Sequence, residues 1–136
     1  MTRLCLDTSA YSHFKRGDAR VVRFIDEARE LFVPSIVLGE LRAGFLLGSR
    51  AEHNQSELGT FLAHSAVTVL EVDSDAAWIY AELIVDLRRA GTPLPTNDIW
   101  IAALALREGA TILTFDEHFA AIHRAGTLIL SAGESR

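Results

Sequence analysis

The apolar residues of this chain fall into two kinds of run, and their alternation predicts an architecture. Short apolar stretches stand at Leu4-Cys5-Leu6, Leu31-Phe32-Val33, Val67-Thr68-Val69-Leu70, Thr111-Ile112-Leu113-Thr114 and Thr127-Leu128-Ile129-Leu130. Bounded by polar and turn-forming residues, each reads as a short buried strand. Longer stretches with helical spacing lie between them. Asp7-Thr8-Ser9 leads into a helix beginning near Ala10, and Asp18 caps another whose Val21, Val22, Phe24, Ile25 and Ala28 share one face. Pro34 and Ser35 open a helix from Ile36 to Leu47, Gly48-Ser49 break it, and a weaker amphipathic helix runs from about Ala51 to Leu62. Asp73-Ser74-Asp75 cap a further helix that carries Ala76, Ala77, Ile79, Tyr80, Leu83, Ile84 and Leu87 inward and ends in Arg88-Arg89-Ala90-Gly91.

The last helix is the most distinctive. It follows a loop bearing Pro93 and Pro95, starts at Thr96-Asn97-Asp98, and runs apolar until Arg107-Glu108-Gly109. So apolar an interior belongs against a sheet, with Asp98 at the positive N-terminal end of the helix. Strands alternating with helices imply an α/β fold: a central, mainly parallel five-stranded sheet covered on both faces, in one domain over residues 1–130 with a polar tail at 131–136.

Composition narrows the chemistry. The net charge of -5 argues against a generally basic nucleic-acid surface, so contact with a polyanion must be local or metal-mediated. Among 13 basic residues only Lys15 is lysine, and arginine can grip phosphate with a bidentate fork. Lys15, Arg16, Arg20, Arg42 and Arg50 are candidates for such grip, although each taken singly reads first as solvated surface charge. The lone Cys5 permits no internal disulfide, and no apolar run reaches the roughly 20 residues of a membrane span, so a cytoplasmic location is expected.

The acidic residues carry the functional signal. In a parallel sheet, ligands bind outside the carboxyl ends of the strands, where strand order reverses. Asp7 follows the first strand, Asp116 follows the fourth, Asp98 starts the helix leading into the fourth, and Glu40 interrupts an almost continuously apolar helix. Singly, each reads as a cap, a turn residue or a solvated carboxylate. Together in one cleft they would repel one another unless a cation lay between them, and oxygen-only ligands suit Mg²⁺ or Mn²⁺. Such a cluster can activate water and stabilise charge in phosphodiester cleavage. Thr8, Ser9, Asn97 and Thr114 flank the carboxylates and serve either turn chemistry or the orientation of those ligands.

Asp7-Thr-Ser after a first strand, Glu40 in Val-Leu-Gly-Glu-Leu-Arg-Ala-Gly, Asn97-Asp98-Ile-Trp-Ile-Ala-Ala, and Thr114-Phe-Asp116-Glu-His-Phe together resemble the PIN-domain family. The nearest likeness is to VapC-type toxins of bacterial toxin–antitoxin pairs. The resemblance implies a three-layer α/β/α sandwich and an endoribonuclease dependent on Mg²⁺ or Mn²⁺, with Asp7, Glu40, Asp98 and Asp116 as catalytic, metal-holding residues. It also implies a structured RNA substrate such as tRNA or rRNA, a homodimer, and a cognate VapB-like antitoxin whose C-terminal segment covers the cleft. The competing expectation is a PIN-fold binding module that acts mainly in a complex on operator DNA with little cleavage of its own. A phosphoacceptor receiver-like domain would need a lysine late in the sheet, and the only lysine is Lys15.

Overall fold

The structure is a computed structural model that describes residues 2–132; the end of the predicted polar tail, residues 133–136, lies outside the described residues. In chain order the elements are β1 (Arg3–Leu6), α1 (Thr8–Lys15), α2 (Ala19–Glu27), β2 (Glu30–Pro34), α3 (Ser35–Leu47), α4 (Ala51–Leu62) and β3 (Val67–Leu70). There follow α5 (Ser74–Arg89), α6 (Thr96–Glu108), β4 (Thr111–Thr114), a 3-10 turn (Glu117–Ala121) and β5 (Thr127–Ile129). The expected α/β fold is thus present, and helix α1 begins two residues earlier than its apolar pattern suggested. Asp7 itself accepts the Ala10 N–H and caps that first turn.

All strand pairs are parallel, in the order β3-β2-β1-β4-β5. The chain therefore works outward from β1 to β3, returns past its own starting strand, and adds β4 and β5 on the other side. Right-handed crossovers then place α1 to α4 on one face and α5 and α6 on the other. The strand order reverses between β1 and β4, whose pairing runs from Leu4 beside Thr111 to Leu6 beside Leu113.

The core follows from the patterning. Leu4, Cys5 and Leu6 are wholly buried in β1, as are Ile112 and Leu113 in β4. Helix α6 buries Ile99 and the unbroken run Ile101-Ala102-Ala103-Leu104-Ala105, because it lies between the sheet and α5. Gly109 ends it in a left-handed conformation at φ 65, which turns the chain into β4 two residues later without the penalty a Cβ would carry. Among the described residues no helix is long and apolar enough to cross a membrane.

The two tryptophans lie in different surroundings. Helix α5 packs through Ala76, Leu83 and Leu87, which leaves Ala77 and Trp78 on the neighbouring, solvent-facing side; Trp78 is 73% exposed. Trp100 is half-buried and stacks on Tyr80 with ring centroids 3.7 Å apart, so it joins α6 to α5. Leu46 and Leu47, at the end of α3, are also strongly exposed.

Because Leu104 is wholly buried at the centre of α6, Leu104→Ala removes packed volume that its neighbours cannot refill. A loss of about 3 kcal/mol in urea-unfolding free energy is expected, with an unchanged m-value.

Candidate active site

Asp7 is built into the reversal point. It leaves β1 in an extended conformation, and its Oδ1 accepts the Ala10 N–H at 2.8 Å and the Ser9 hydroxyl at 2.7 Å. Its Oδ2 accepts the hydroxyl of Thr114, a fully buried residue at the end of β4. The Thr114 hydroxyl accepts in turn from the Asp116 N–H at 2.9 Å, and the Ser9 hydroxyl accepts from the Phe115 N–H at 2.9 Å. Ser9 and Thr114 thus bind Asp7 directly and also tie the loop after β4 to the start of α1. Burial pushes the Asp7 pKa up, the Thr114, Ala10 and Ser9 hydrogen bonds pull it down, and Asp116 pushes it up again; the net direction is upward.

Glu40 reaches the same edge from α3. Val37 and Leu41 of that helix are buried, whereas Glu40 is only half-buried and leans over the edge. Its Oε1 accepts the Thr8 hydroxyl at 2.6 Å, and its Oε2 accepts from the Asn97 side-chain amide at 3.2 Å. The burial that its apolar sequence neighbours suggested is relieved by these two partners, one from each face of the sheet.

Asp98 is held differently. The N-cap position of α6 is Pro95 with no side-chain hydrogen bond, and Asp98 is the third helical residue. Its pKa is raised from 3.8 to about 6: partial burial is the largest cause, followed by repulsion from Asp116, Glu40 and Asp7, while His118 acts weakly the other way. No hydrogen bond reaches its carboxylate among the described residues. Asp116 completes the group by capping the 3-10 turn, where its Oδ1 accepts the His118 N–H at 2.9 Å and lies 2.8 Å from His118 Nδ1. The four acidic residues therefore share one electrostatic neighbourhood at the carboxyl edge of β1 and β4.

The chemistry of this donor set suits a hard divalent cation: oxygen donors only, strong mutual repulsion, and one carboxylate, Asp98, without a hydrogen-bond partner among the described residues. As arranged, no three acidic, histidine or cysteine side chains among the described residues stand close enough together to hold an ion, so binding one requires them to draw inward.

Two neighbours of the site take roles that local sequence did not suggest, although Arg20 stood among the candidate phosphate-gripping residues. His13 stacks on Phe115 with centroids 3.6 Å apart and its Nδ1 lies 2.9 Å from the Ser9 carbonyl. The Arg20 guanidinium sits 5.7 Å from the Phe115 ring centroid and bonds Asp18 and the Ser131 carbonyl. Together they clamp the loop carrying Asp116 against α1. Of the other basic residues, Arg42 bonds Gln55 on α4, at 2.9 Å.

Comparison with known proteins agrees with this architecture. The PIN domain family matches residues 4–125 of the chain. The chain is 32% identical to Ribonuclease VapC5 of Mycobacterium tuberculosis over 126 residues, which cover 90% of each protein. It superposes on VapBC2 from Rickettsia felis, solved bound to a DNA fragment from their promoter, with a TM-score of 0.79 and 27% identity, covering 94% of this chain and 98% of that one. DNA-bound VapBC from Salmonella typhimurium gives a TM-score of 0.81 at 26% identity, with 95% and 98% covered. With a five-stranded parallel sheet, a family match across nearly its whole length and these likenesses, the chain belongs to the PIN-domain family and groups with its VapC-type toxins.

Proposed function

We propose that this chain is a Mg²⁺- or Mn²⁺-dependent endoribonuclease toxin that cleaves structured cellular RNA, tRNA or rRNA, by attack of water on a phosphodiester. The observation that carries the proposal is the convergence of Asp7, Glu40, Asp98 and Asp116 where the strand order reverses, with Asp98 left unpartnered and its pKa raised to about 6. Names such as Ribonuclease VapC5 among its relatives support the reaction class. In this reading the four carboxylates hold the cation, Ser9 and Thr114 fix Asp7, and Thr8 and Asn97 fix Glu40. The bound metal supplies an activated water and neutralises charge developing on phosphate.

The likeness to VapBC complexes supports a cognate VapB-like antitoxin as partner, and an acidic cleft is complementary to an arginine presented by such a partner. Exposed Leu46, Leu47 and Trp78 offer apolar surface for a homodimer or for the antitoxin. The competing reading, a module that acts mainly in a complex on operator DNA, draws on one observation: two VapBC structures that the chain resembles were solved bound to DNA. Activity separates the two.

Purified, antitoxin-free protein is expected to cut total cellular RNA in the presence of Mn²⁺ or Mg²⁺ and not in EDTA. Asp7→Asn and Asp98→Asn should each lower the cutting rate at least ~100-fold while the far-ultraviolet circular dichroism is unchanged. Folded protein that cuts no cellular RNA at any Mn²⁺ or Mg²⁺ concentration, yet still binds its antitoxin on DNA, would establish the competing reading instead.

The shift at Asp98 also fixes a pH dependence. Its folded pKa of about 6 lies above the ordinary 3.8, so its contribution to stability is fully present below 3.8 and is lost as pH rises through about 6. With allowance for its partial exposure, metal-free wild type should lose about 1 kcal/mol relative to Asp98→Asn between pH 4 and pH 7.5. Urea unfolding of both proteins in EDTA at the two pH values reads this difference, and parallel behaviour would contradict the shared electrostatics.

A further inference from the structure

A second feature lies one step along the surface from the carboxylates. Helices α1, α3 and α4 enclose a hollow of about 290 Å³ lined by Tyr11, Lys15, Arg16, Arg50, Asn54 and Glu57. It brings together cations that are distant in sequence. Glu57 is engaged by Lys15 at 3.0 Å and by His53 at 3.1 Å, which uses up the one carboxylate there. The side chains of Arg16 and Arg50 have no hydrogen-bond or ion-pair partner among the described residues. In a chain of net charge -5 this is a local excess of positive charge.

The hollow also holds an unanswered donor. Tyr11 is only 3% exposed, and its hydroxyl is buried with no hydrogen-bond partner among the described residues. Its ring is fixed edge-on against Phe61, with centroids 5.3 Å apart, and cannot swing away without loss of packing. Burial, followed by the nearby Glu57 charge, pushes its pKa up to about 12, so it remains a donor throughout the physiological range. A buried hydroxyl without a partner and two unpaired guanidinium groups on residues lining one hollow call for an anionic oxygen acceptor.

The position says which anion. Thr8, Ser12 and Arg16 are successive i, i+4 residues along one stripe of α1; Thr8 bonds Glu40 at the cleft, while Ser12 and Arg16 line the hollow. The far end of the stripe is roughly 12 Å from the near end at 1.5 Å per helical residue. On α3, Leu41 of the hollow follows Glu40 of the cleft directly. A strand with its scissile phosphate at the carboxylates thus reaches the hollow through its neighbouring nucleotides.

We propose that this hollow is a phosphate subsite for the RNA strand flanking the scissile bond, with Arg16 and Arg50 gripping the phosphate and the Tyr11 hydroxyl donating to it. The assignment rests on the nuclease reading for its substrate, but its test does not require cleavage.

The test is fluorescence anisotropy with a labelled single-stranded RNA of random sequence, about twelve nucleotides long, in EDTA across a salt series. The Asp98→Asn protein serves as the uncleaving parent. Adding Arg16→Ala and Arg50→Ala together should weaken binding about 10-fold at low salt and reduce the salt slope by about 1.4, or about 0.7 per lost phosphate contact on a single strand. Adding Tyr11→Phe should weaken binding several-fold with the slope unchanged and the circular dichroism intact. Arg88→Ala with Arg89→Ala, outside the hollow, removes the same two charges and serves as the control. A double variant that binds within twofold of this control, with the same slope, would overturn the assignment. So would variants that keep RNA affinity but no longer capture the antitoxin, because the hollow would then be a protein contact. If wild type cuts no RNA under any metal yet the double variant still loses affinity and slope, the subsite stands and the nuclease reading alone has failed.

Discussion

Electrostatic repulsion among four carboxylates at one sheet edge is the constraint around which this fold is arranged. A buried or half-buried carboxylate is costly without partners, and four together are worse. The structure answers in part with neutral donors. Asp7 takes two hydroxyls and a backbone N–H, Glu40 takes a hydroxyl and an amide, and Asp116 takes a backbone N–H and His118. Asp98 takes none among the described residues, and its pKa near 6 reports first its partial burial and then the repulsion from Asp116, Glu40 and Asp7 that remains. That residual strain is the free energy a divalent cation would recover on binding.

The same hydrogen bonds hold the fold at its most vulnerable junction. Neighbouring parallel strands β1 and β4 come from opposite ends of the chain, and each is joined to distant sequence by helices. The Thr114 hydroxyl between Asp7 and the Asp116 N–H, and the Ser9 hydroxyl between Asp7 and the Phe115 N–H, bolt the two strand ends together. Stability and the geometry of the site are therefore coupled: residues that set the carboxylates also close the sheet. A site built at strand ends by short side chains is more rigid than one presented on loops.

Much of this was legible in the residues themselves. Short apolar strands and the almost wholly apolar α6 announced a parallel sheet with a buried helix, and Asp7 and Asp116 could be placed at strand ends from the pattern alone. Glu40 drew attention because it interrupted an apolar helix, although the reason it is tolerated, Thr8 and Asn97 reaching it from either side, depends on topology. Strand order is not encoded in periodicity, so the return of the chain past β1, which brings Asp98 to the edge, emerged only in three dimensions. The stacking of His13 on Phe115 and the gathering of Lys15, Arg16 and Arg50 in one hollow are likewise products of packing between distant segments. Local pattern also overstated the inward face of α5 at Ala77, which remains in solvent because only one side of that helix meets α6.

In the proposed reading the carboxylates act as one cation-binding unit with Asp98 as its least satisfied member. The most direct test is calorimetric titration of Mn²⁺ into metal-free protein at pH 7.5, beside Asp98→Asn and a surface variant, Asp26→Asn. Saturable binding by wild type and Asp26→Asn, weakened at least ~10-fold in Asp98→Asn, is the predicted result. Equal Mn²⁺ affinity in all three proteins, or no saturable binding to folded wild type, would contradict it.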